Sequence, residues 1–439
     1  MARFLLTLLL SLTLSISFAS DKDHPQVMVQ QAPLQPVEHF SLALGHIKQY
    51  YVKDAKDEKL FESALQGMLQ GLDPHSAYLN PDDLEMLTTS TEGKFAGLGI
   101  EIDMHDGLVR IVTPLDDSPA SKARLKSGDL IFAINGEPIK GLSMTDAIKK
   151  LRGDDGSTVK LTILRGEKHQ VLEKTLKRAI INVDSVKSEL IDKHFAYLRV
   201  RQFQENTTRD LAKQIDDLKK QTNNKLKGAV IDLRNNPGGL LDAAVGVSDL
   251  FLDQDNQLNH KELIVYTEGR IPGGDFKAYA SQGDILHGLP IVVLINAGSA
   301  SASEIVAGAL QDHRRAVVMG EQSFGKGSVQ TVLPLDNTHA IKLTTALYYT
   351  PSGRSIQAKG IKPDIQVETL SVPEPEGKGT MDIIVLRENS LAGHIENKSD
   401  KKSSTKKDKK KKDKKVLVHE DFQLYQAVNL LKGLNTLAG

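Results

Sequence analysis

Two residues in one stretch of the chain have types that could carry out nucleophilic catalysis. Ser301 stands where an apolar run at 290–295, read as a buried strand, gives way to a helix predicted to begin near Ala302. Its hydroxyl would project from a rigid frame, beside the unpaired amide donors of a helix N-terminus. Lys326 lies between Gly325 and Gly327 in a short loop, and the two glycines permit a close approach of the backbone.

The hypothesis that these residues support is a nucleophilic Ser301 with Lys326 as its general base. A serine hydroxyl attacks poorly unless a neighbouring group removes its proton. A lysine can do this only when it is neutral, and its reference pKa is about 10.4. Desolvation in an apolar pocket lowers that pKa because it penalises the charged form. The loop 323–327 contains no acid, as this chemistry requires.

Each of these residues also has a plainer interpretation. Ser301 and Glu304 ahead of an apolar run form the pattern of a capping box, a common device at helix starts. A lysine between glycines is often a solvated loop charge. His75, in the turn after a predicted helix, is interpreted as a structural residue. The residues taken singly leave these alternatives open.

The motifs around the pair resemble those of the carboxy-terminal processing proteases, serine endopeptidases with a Ser–Lys dyad. The resemblance implies that Ser301 is the nucleophile, Lys326 the base and Gln330 the residue that orients the lysine. Some members are described with an acidic third residue, which would be Asp312, roughly 16 Å along the same helix at 1.5 Å per residue. The segments that carry the resemblance are SASASEI at 299–305, AGALQD at 307–312, GE at 320–321 and FGKG at 324–327.

A second glycine turn is assigned through the same resemblance. A buried strand at 228–234 runs into the turn NNPGG at 235–239, ahead of a predicted helix. Such a turn can bind phosphate, but this one lacks the Gly-Lys-Ser/Thr ending of a phosphate loop. The resemblance implies instead that the amide of Gly238 or Gly239, together with that of Ala302, forms an oxyanion hole.

Residues 93–178 read as a separate β-rich module that resembles a bacterial PDZ domain. Gly97, Leu98, Gly99 and Ile100 match the carboxylate-binding loop of such domains. Backbone amides in that loop capture a chain-terminal carboxylate while the peptide adds a strand to the sheet edge. A glycine-rich turn without a ligand is the alternative.

Apolar spacing and composition define the remaining regions, and the fold class predicted is multidomain α/β. Residues 21–92 are predicted to be an N-terminal helical region, which in the resembling family often contributes to dimerisation. Residues 179–372 are predicted to be the protease core, with the Clp-protease/crotonase-like fold that the resemblance implies. A linker and lysine-rich segment at 373–415 is predicted to be disordered, and 416–439 to be a terminal helix.

Composition limits the classes of function. The 439 residues include no cysteine, which excludes disulfides, thiolate sites and a lipid anchor on cysteine. The formal net charge is zero, with lysines concentrated between 398 and 415, and this distribution does not indicate a nucleic-acid binder. Residues 1–20 show the pattern of a cleaved secretory signal, which predicts a periplasmic protein in a Gram-negative cell. An uncleaved membrane anchor is the alternative.

These features together predict an exported serine endopeptidase. It would bind the free C-termini of protein or peptide substrates through the PDZ domain and cleave near them through an acyl-enzyme. No metal or cofactor is expected, because the histidines lack a ligand spacing such as His-Glu-x-x-His. A homo-oligomer and an activating adaptor protein are the further partners considered. The rival from another class is a non-catalytic PDZ adaptor on the same scaffold, and acyl-CoA chemistry is disfavoured by the signal.

Overall fold

The computed structural model describes residues 34–115, 117–166, 170–253, 262–270, 275–281, 283–370 and 421–438. The predicted secretory signal at 1–20 and the lysine-rich segment at 373–415 lie outside these residues. Within the described ranges, no helix combines the length and the apolar character that a bilayer span requires. The chain divides into two units between Leu65 and Gln66.

The first unit contains helix α1 (Leu34–Tyr50) and the start of helix α2 (Asp57–Gln70). Helix α1 carries apolar residues at helical spacing, yet none of its residues is buried. Phe40 contacts Phe61, with ring centroids 6.3 Å apart. The apolar stripe of α1 is thus mostly exposed to solvent.

The second unit begins with the last residues of α2, which are followed by a strand that the sequence did not predict. Strand β1 (Ala77–Leu79) pairs antiparallel with strand β18 (Ala340–Tyr349), far along the chain. Helix α3 (Pro81–Glu92) follows, with the Asn80 side chain as its N-cap and proline at its first position. The region predicted to be helical therefore also contributes a strand to a sheet.

The β-rich module has its own hydrophobic core, which includes Ile111, Ile131, Leu161 and Ile163. Its elements are β2 (Lys94–Gly97), β3 (Ile100–His105), β4 (Leu108–Pro114), α4 (Pro119–Lys122), β5 (Leu130–Ile134), β6 (Glu137–Pro138), α5 (Met144–Leu151), β7 (Thr158–Arg165), β8 (Gln170–Lys177) and β9 (Ala179–Asn182). The strands pair in the order β3-β4-β5-β7-β8, with β6 on β5, and β2 pairs antiparallel with β9. The chain therefore enters and leaves the module on adjacent strands.

The larger α/β region is built on a mostly parallel sheet. Its strands are β10 (Val186–Ile191), β11 (Phe195–Val200), β12 (Ala229–Asp232), β15 (Ile291–Ile295), β16 (Ala316–Gly320) and β19 (Ile365–Gln366). They pair in the order β10-β11-β12-β15-β16-β19. The helices are α6 (Thr207–Gln221), α7 (Leu241–Asp249), α8 (Ala302–Asp312) and the C-terminal α9 (Phe422–Ala438).

Both faces of this sheet are covered, and that explains why its central strands are continuously apolar. On β15, Ile291, Val293 and Ile295 belong to the core shared with α6, α7 and α8. Val292 and Leu294 point the other way, into a core shared with α9. Because β12 and β15 are parallel neighbours, the turns that follow them emerge side by side at one edge.

Helix α9 is also attached by a buried ion pair network. The Arg234 guanidinium, just after β12, donates to Asp232 at 2.7 Å and to Asp421 at 2.6 Å. Asp232 also accepts from the Tyr197 hydroxyl at 2.7 Å. The start of α9 is therefore fixed next to the turn 235–239.

A second sheet contains β1 and β18 together with β13 (Leu263–Gly269), β14 (Lys277–Tyr279) and β17 (Ser328–Pro334). Its strands pair in the order β1-β18-β13-β14, and β17 also pairs with β18. The loop that contains Lys326 leads directly into β17, so this sheet positions the lysine.

We expect Leu431→Ala to lower the free energy of unfolding by about 2–5 kcal/mol, because this α9 side chain is 0% exposed and its removal leaves a cavity. Leu437→Ala on the same helix is the control, since that side chain is 88% exposed. Urea denaturation followed by circular dichroism measures both. Equal effects of the two substitutions would contradict the packing of α9 described above.

Candidate active site

Ser301, the N-cap of α8, has an unusual backbone conformation, with φ 56° and ψ −115°. Non-glycine residues rarely adopt positive φ, and such strain is often found at functional sites. The neighbouring turn holds it there. The Ala300 amide donates to the Asn236 carbonyl at 3.0 Å, and the Ser303 hydroxyl donates to the same carbonyl at 2.9 Å. The serine turn and the turn 235–239 are thus bound to each other.

The carboxylate of Glu304 connects the serine turn to the lysine loop. It is 0% exposed and accepts four hydrogen bonds. Oε2 accepts from the amides of Ser301 at 2.8 Å and Lys326 at 2.9 Å. Oε1 accepts from the Ser323 hydroxyl at 2.5 Å and the Gly325 amide at 2.7 Å. The glutamate of the predicted capping box therefore also fixes the loop that carries the lysine.

The electrostatics around Glu304 reflect a balance of burial and hydrogen bonding. Burial raises the pKa of Glu304, and the four donors oppose that rise because they favour the ionised form. The sequence pattern indicated only the helix-capping role of this residue. Its contacts with the loop 323–326 depend on tertiary structure that local spacing does not reveal.

Lys326 is half-buried, and burial is the main reason why its pKa is lowered. The positive charge of Lys342 lowers the pKa of Lys326 further, while Asp73 and Glu304 oppose the shift. In the described part of the chain, the Lys326 amine forms no salt bridge; Glu304 accepts from its backbone amide instead. The amine is therefore in the dry, unpaired environment that a lysine base requires.

One cleft of about 550 Å³ brings most of the predicted catalytic residues together. Ser301, Lys326, Gln330, Gly238, Gly239 and Ala302 all line it. The Ser301 hydroxyl and the Lys326 amine face this cleft without a hydrogen bond to each other. Catalytic hydrogen bonds are often long in unliganded enzymes and shorten when substrate binds.

Tyr348, which the sequence analysis did not single out, also lines the cleft. Its buried hydroxyl donates to the Lys326 carbonyl and lies next to the Ser301 side chain. Burial raises the pKa of Tyr348, which keeps the phenol protonated. It therefore contacts both predicted members of the dyad. Its position in a strand of aromatic and β-branched residues gave no local signal of this.

The two glycine candidates for the oxyanion hole differ in their exposure and in the hydrogen bonding of their amides. Gly238 is buried, and its amide donates to the Asn236 side chain at 2.9 Å. Gly239 is exposed, and no acceptor for its amide is found in the described ranges. Ala302 is the first residue of α8, so its amide has no intrahelical acceptor. The geometry favours Gly239 with Ala302 as the donor pair.

Gln330 and Asp312 have different surroundings. The Gln330 amide nitrogen donates to Ser328 and Thr344, at 2.9 and 3.2 Å, and so holds its side chain in the cleft. Asp312 does not line the cleft. Its carboxylate accepts from the Ser352 amide at 2.9 Å and pairs with Arg354, so its contacts fix the C-terminal end of α8.

The residues of the predicted peptide-binding loop line a separate groove of about 140 Å³ in the β-rich module. The groove is otherwise lined mainly by apolar side chains of β3 and α5. The Leu98 carbonyl accepts from Ala120 and the Gly99 carbonyl from Leu115, both at 2.9 Å. These bonds fix the peptide planes of the loop. Across the described ranges, no group of three or more His, Asp or Glu residues is arranged to hold a metal ion.

Comparison with protein families gives three matches along the chain. Residues 194–367 match peptidase family S41, and residues 96–176 match the PDZ domain. Residues 14–83 match the N-terminal domain of the activating protease CtpB.

Known relatives match most of the chain. A carboxy-terminal-processing protease of Bartonella bacilliformis is 45% identical over 407 residues, which are 92% of this chain and 90% of the relative. The carboxy-terminal processing protease CtpA of Bacillus subtilis is 35% identical over 74% of this chain and 68% of its own length. A solved photosystem II D1 C-terminal processing protease is 30% identical, covers 75% of this chain and 86% of its own, and has a TM-score of 0.44.

We expect Gly238→Ala to lower kcat by a factor on the order of 10²–10³, because displacing the turn 235–239 would move the Gly239 amide away from the oxyanion, and loss of one such donor typically has an effect of this size. Gly238 has φ 106°, and an added Cβ would lie 2.8 Å from both the Ala300 carbonyl and the Ser301 Cβ. The substitution would therefore displace the turn from the serine. Peptide cleavage kinetics measure the effect.

The control for this substitution is Gly433→Ala in α9, where an added Cβ meets nothing within 4 Å. Alanine is the better helix former, so we expect unchanged kcat and slightly higher stability. Full activity of Gly238→Ala would refute the assigned packing of the two turns.

Proposed function

The chain belongs to the carboxy-terminal processing proteases of peptidase family S41, and from this premise we propose that it cleaves proteins near their C-termini with Ser301 as nucleophile and Lys326 as general base. The observation that carries the proposal is the Glu304 carboxylate. It holds the serine turn and the lysine loop together through backbone amides, and among the described residues the lysine amine forms no salt bridge.

The reaction begins with attack of the Ser301 hydroxyl oxygen on the carbonyl carbon of the scissile peptide bond. The Lys326 amine takes the hydroxyl proton, and the carbonyl oxygen becomes an oxyanion that the amides of Gly239 and Ala302 stabilise. Collapse of this intermediate breaks the C–N bond, and the Lys326 ammonium returns the proton to the leaving amine. The product is an acyl-enzyme on Ser301.

Deacylation repeats the sequence with water as the nucleophile. The neutral Lys326 amine takes a proton from a water molecule as the water oxygen attacks the ester carbonyl. Collapse then expels the Ser301 oxygen, which recovers that proton from Lys326. We propose that Gln330, which Ser328 and Thr344 hold in the cleft, orients the lysine, and Tyr348 holds the backbone carbonyl of Lys326.

The PDZ domain supplies recognition of the substrate terminus. We propose that the loop 97–100 binds a terminal carboxylate through backbone amides while the peptide pairs with β3. The apolar lining of the groove by Ile102, Ile148 and Leu151 suits an apolar final side chain. The proposed domain limits are 93–178 for this domain and 179–372 for the protease core.

The cellular setting is part of the proposal. The pattern at 1–20 supports export to the periplasm, and the match to the CtpB N-terminal domain supports control by an activating partner. The rival function, a non-catalytic PDZ adaptor, predicts that no property of the protein depends on the Ser301 hydroxyl.

Substitution of either dyad residue tests the mechanism. We expect Ser301→Ala and Lys326→Met each to abolish cleavage of casein and of a peptide with a free C-terminus, with product masses read by mass spectrometry. Lys326→Arg is the matched control for charge: arginine stays protonated and cannot act as a base, so it should be equally inactive. Unfolding midpoints equal to that of the wild type, measured by circular dichroism, would show that these variants fold, since the peptide-binding module has a hydrophobic core of its own.

Wild-type activity in Ser301→Ala would exclude an acyl-enzyme on this residue. Wild-type activity in Lys326→Arg would exclude a lysine base. If the wild-type protein binds C-terminal peptides but cleaves none, the adaptor function replaces the one proposed.

We further propose that α1 binds a second copy of this chain. Val37, Phe40, Leu44 and Ile47 of α1, continued by Tyr51 just beyond its end, form a stripe at helical spacing, and four of these five side chains are more than two-fifths exposed. Exposed apolar patches of this kind mark interaction surfaces. If this surface mediates self-association, the purified protein forms the oligomer without any other component.

We expect Ile47→Glu to lower the molar mass measured by light scattering, because a charge in the stripe would have to be desolvated on association. Gln49→Glu, on an exposed position outside the stripe, adds the same charge and should leave the mass unchanged. A monomeric wild-type protein would refute this surface. So would an oligomeric wild type whose mass is matched by both variants.

A further inference from the structure

We propose that Lys342 is a positioning residue whose fixed positive charge keeps the Lys326 amine available as a proton acceptor, an inference that rests on the proposed Ser301–Lys326 mechanism. Lys342 lies on β18, opposite Val332 of β17, and Gln330 lies opposite Thr344. Cross-strand pairs project on the same face, and residues two apart on a strand share that face. Lys342 and Gln330 therefore point to the same side, and both line the cleft with Lys326.

The charges of this cleft are unbalanced. Among the described residues that line it, Lys326 and Lys342 are the basic side chains, and no carboxylate is present. The Lys342 ammonium also makes no salt bridge within the described ranges. A half-buried, unpaired cation costs solvation free energy, so its position next to the base calls for a functional explanation.

The acids nearest to Lys326 are occupied by other donors. Asp73, in the turn before β1, accepts from the amides of His75 and Ser76, from the Ser76 hydroxyl and from the Thr344 hydroxyl at 2.6–3.1 Å. Glu304, on α8, accepts its four bonds from the serine turn and the lysine loop. Neither carboxylate is free to pair with the Lys326 amine.

The remaining titratable groups that face Lys326 and Lys342 add little charge. The pKa of His75 is lowered by burial and by Lys326, so its imidazole is neutral at pH 7. Tyr348 is protonated, as described above. Lys342 therefore places a positive charge beside Lys326, against the negative charges of Asp73 and Glu304, and a second cation next to a desolvated amine favours the neutral amine.

The test is the pH dependence of kcat/KM for an internally quenched peptide with a free C-terminus. In the wild type, activity rises with pH as Lys326 loses its proton. Lys342→Gln removes the neighbouring charge and raises the pKa of Lys326, so the rising limb moves to higher pH. We expect kcat/KM about three- to tenfold lower at pH 7, with the difference closing at high pH.

Two variants separate charge from packing. Lys342→Arg keeps the positive charge and should keep the rising limb at its wild-type pH. Asp73→Asn removes a negative charge while retaining an oxygen acceptor, so the limb should move the other way, to lower pH. Lys277→Gln, an exposed position on β14 of the same sheet, is the control and should change nothing.

A loss of activity in Lys342→Gln that is equal at every pH, or is shared by Lys342→Arg, overturns the proposal in favour of a structural or substrate-contact role. Failure of the proposed function gives a different result, since Lys326→Met would then be as active as the wild type. An unmoved limb in Lys342→Gln, with Lys326→Met inactive, rejects the role of Lys342 alone.

Discussion

The active site depends on one buried carboxylate that binds backbone rather than side-chain cations. Glu304 reaches two segments that are separated along the chain and accepts a hydrogen bond from an amide on each. A buried carboxylate must be compensated, and an ammonium close by would be the usual partner. Here two loop amides, a serine hydroxyl and the Ser301 amide provide that compensation. The lysine is consequently held in place by its main chain while its amine stays free of acid.

The surrounding fold supplies the two turns that meet at this carboxylate. Parallel pairing of β12 with β15 brings the turn 235–239 beside the serine turn, and hydrogen bonds to the Asn236 carbonyl join them. The lysine loop arrives from the other sheet through β17. The network of Asp232, Arg234 and Asp421 then ties α9 to the base of the same turn. Ser301 and Lys326 are thus each placed by a segment that adjoins a strand, β15 for the serine and β17 for the lysine.

Much of this arrangement is predictable from sequence where the signal is local. The apolar run of β15, the helical spacing after Ser301 and the glycine turn at 235–239 all predicted elements that the structure contains. What local patterns could not reveal depends on pairing between distant segments. Strand β1 is short and pairs with β18, so nothing near Ala77 indicates a strand. Tyr348 and Lys342 reach the cleft only through the register of β17 and β18. The preference for Gly239 over Gly238 depended on the bond that the Gly238 amide donates to the Asn236 side chain.

The segment from α3 to the loop 97–100 borders both functional regions. Leu84, Leu87 and Thr91 of α3 line the cleft, and strand β2 follows directly after Gly93. That glycine is closely packed, because an added Cβ would lie 2.3 Å from the Gln204 side chain. The loop that lines the peptide groove begins at the end of β2. A peptide that occupies the groove and the cleft at once would have to reach from one to the other, so their separation would set the minimum number of residues between its terminus and the bond that is cut.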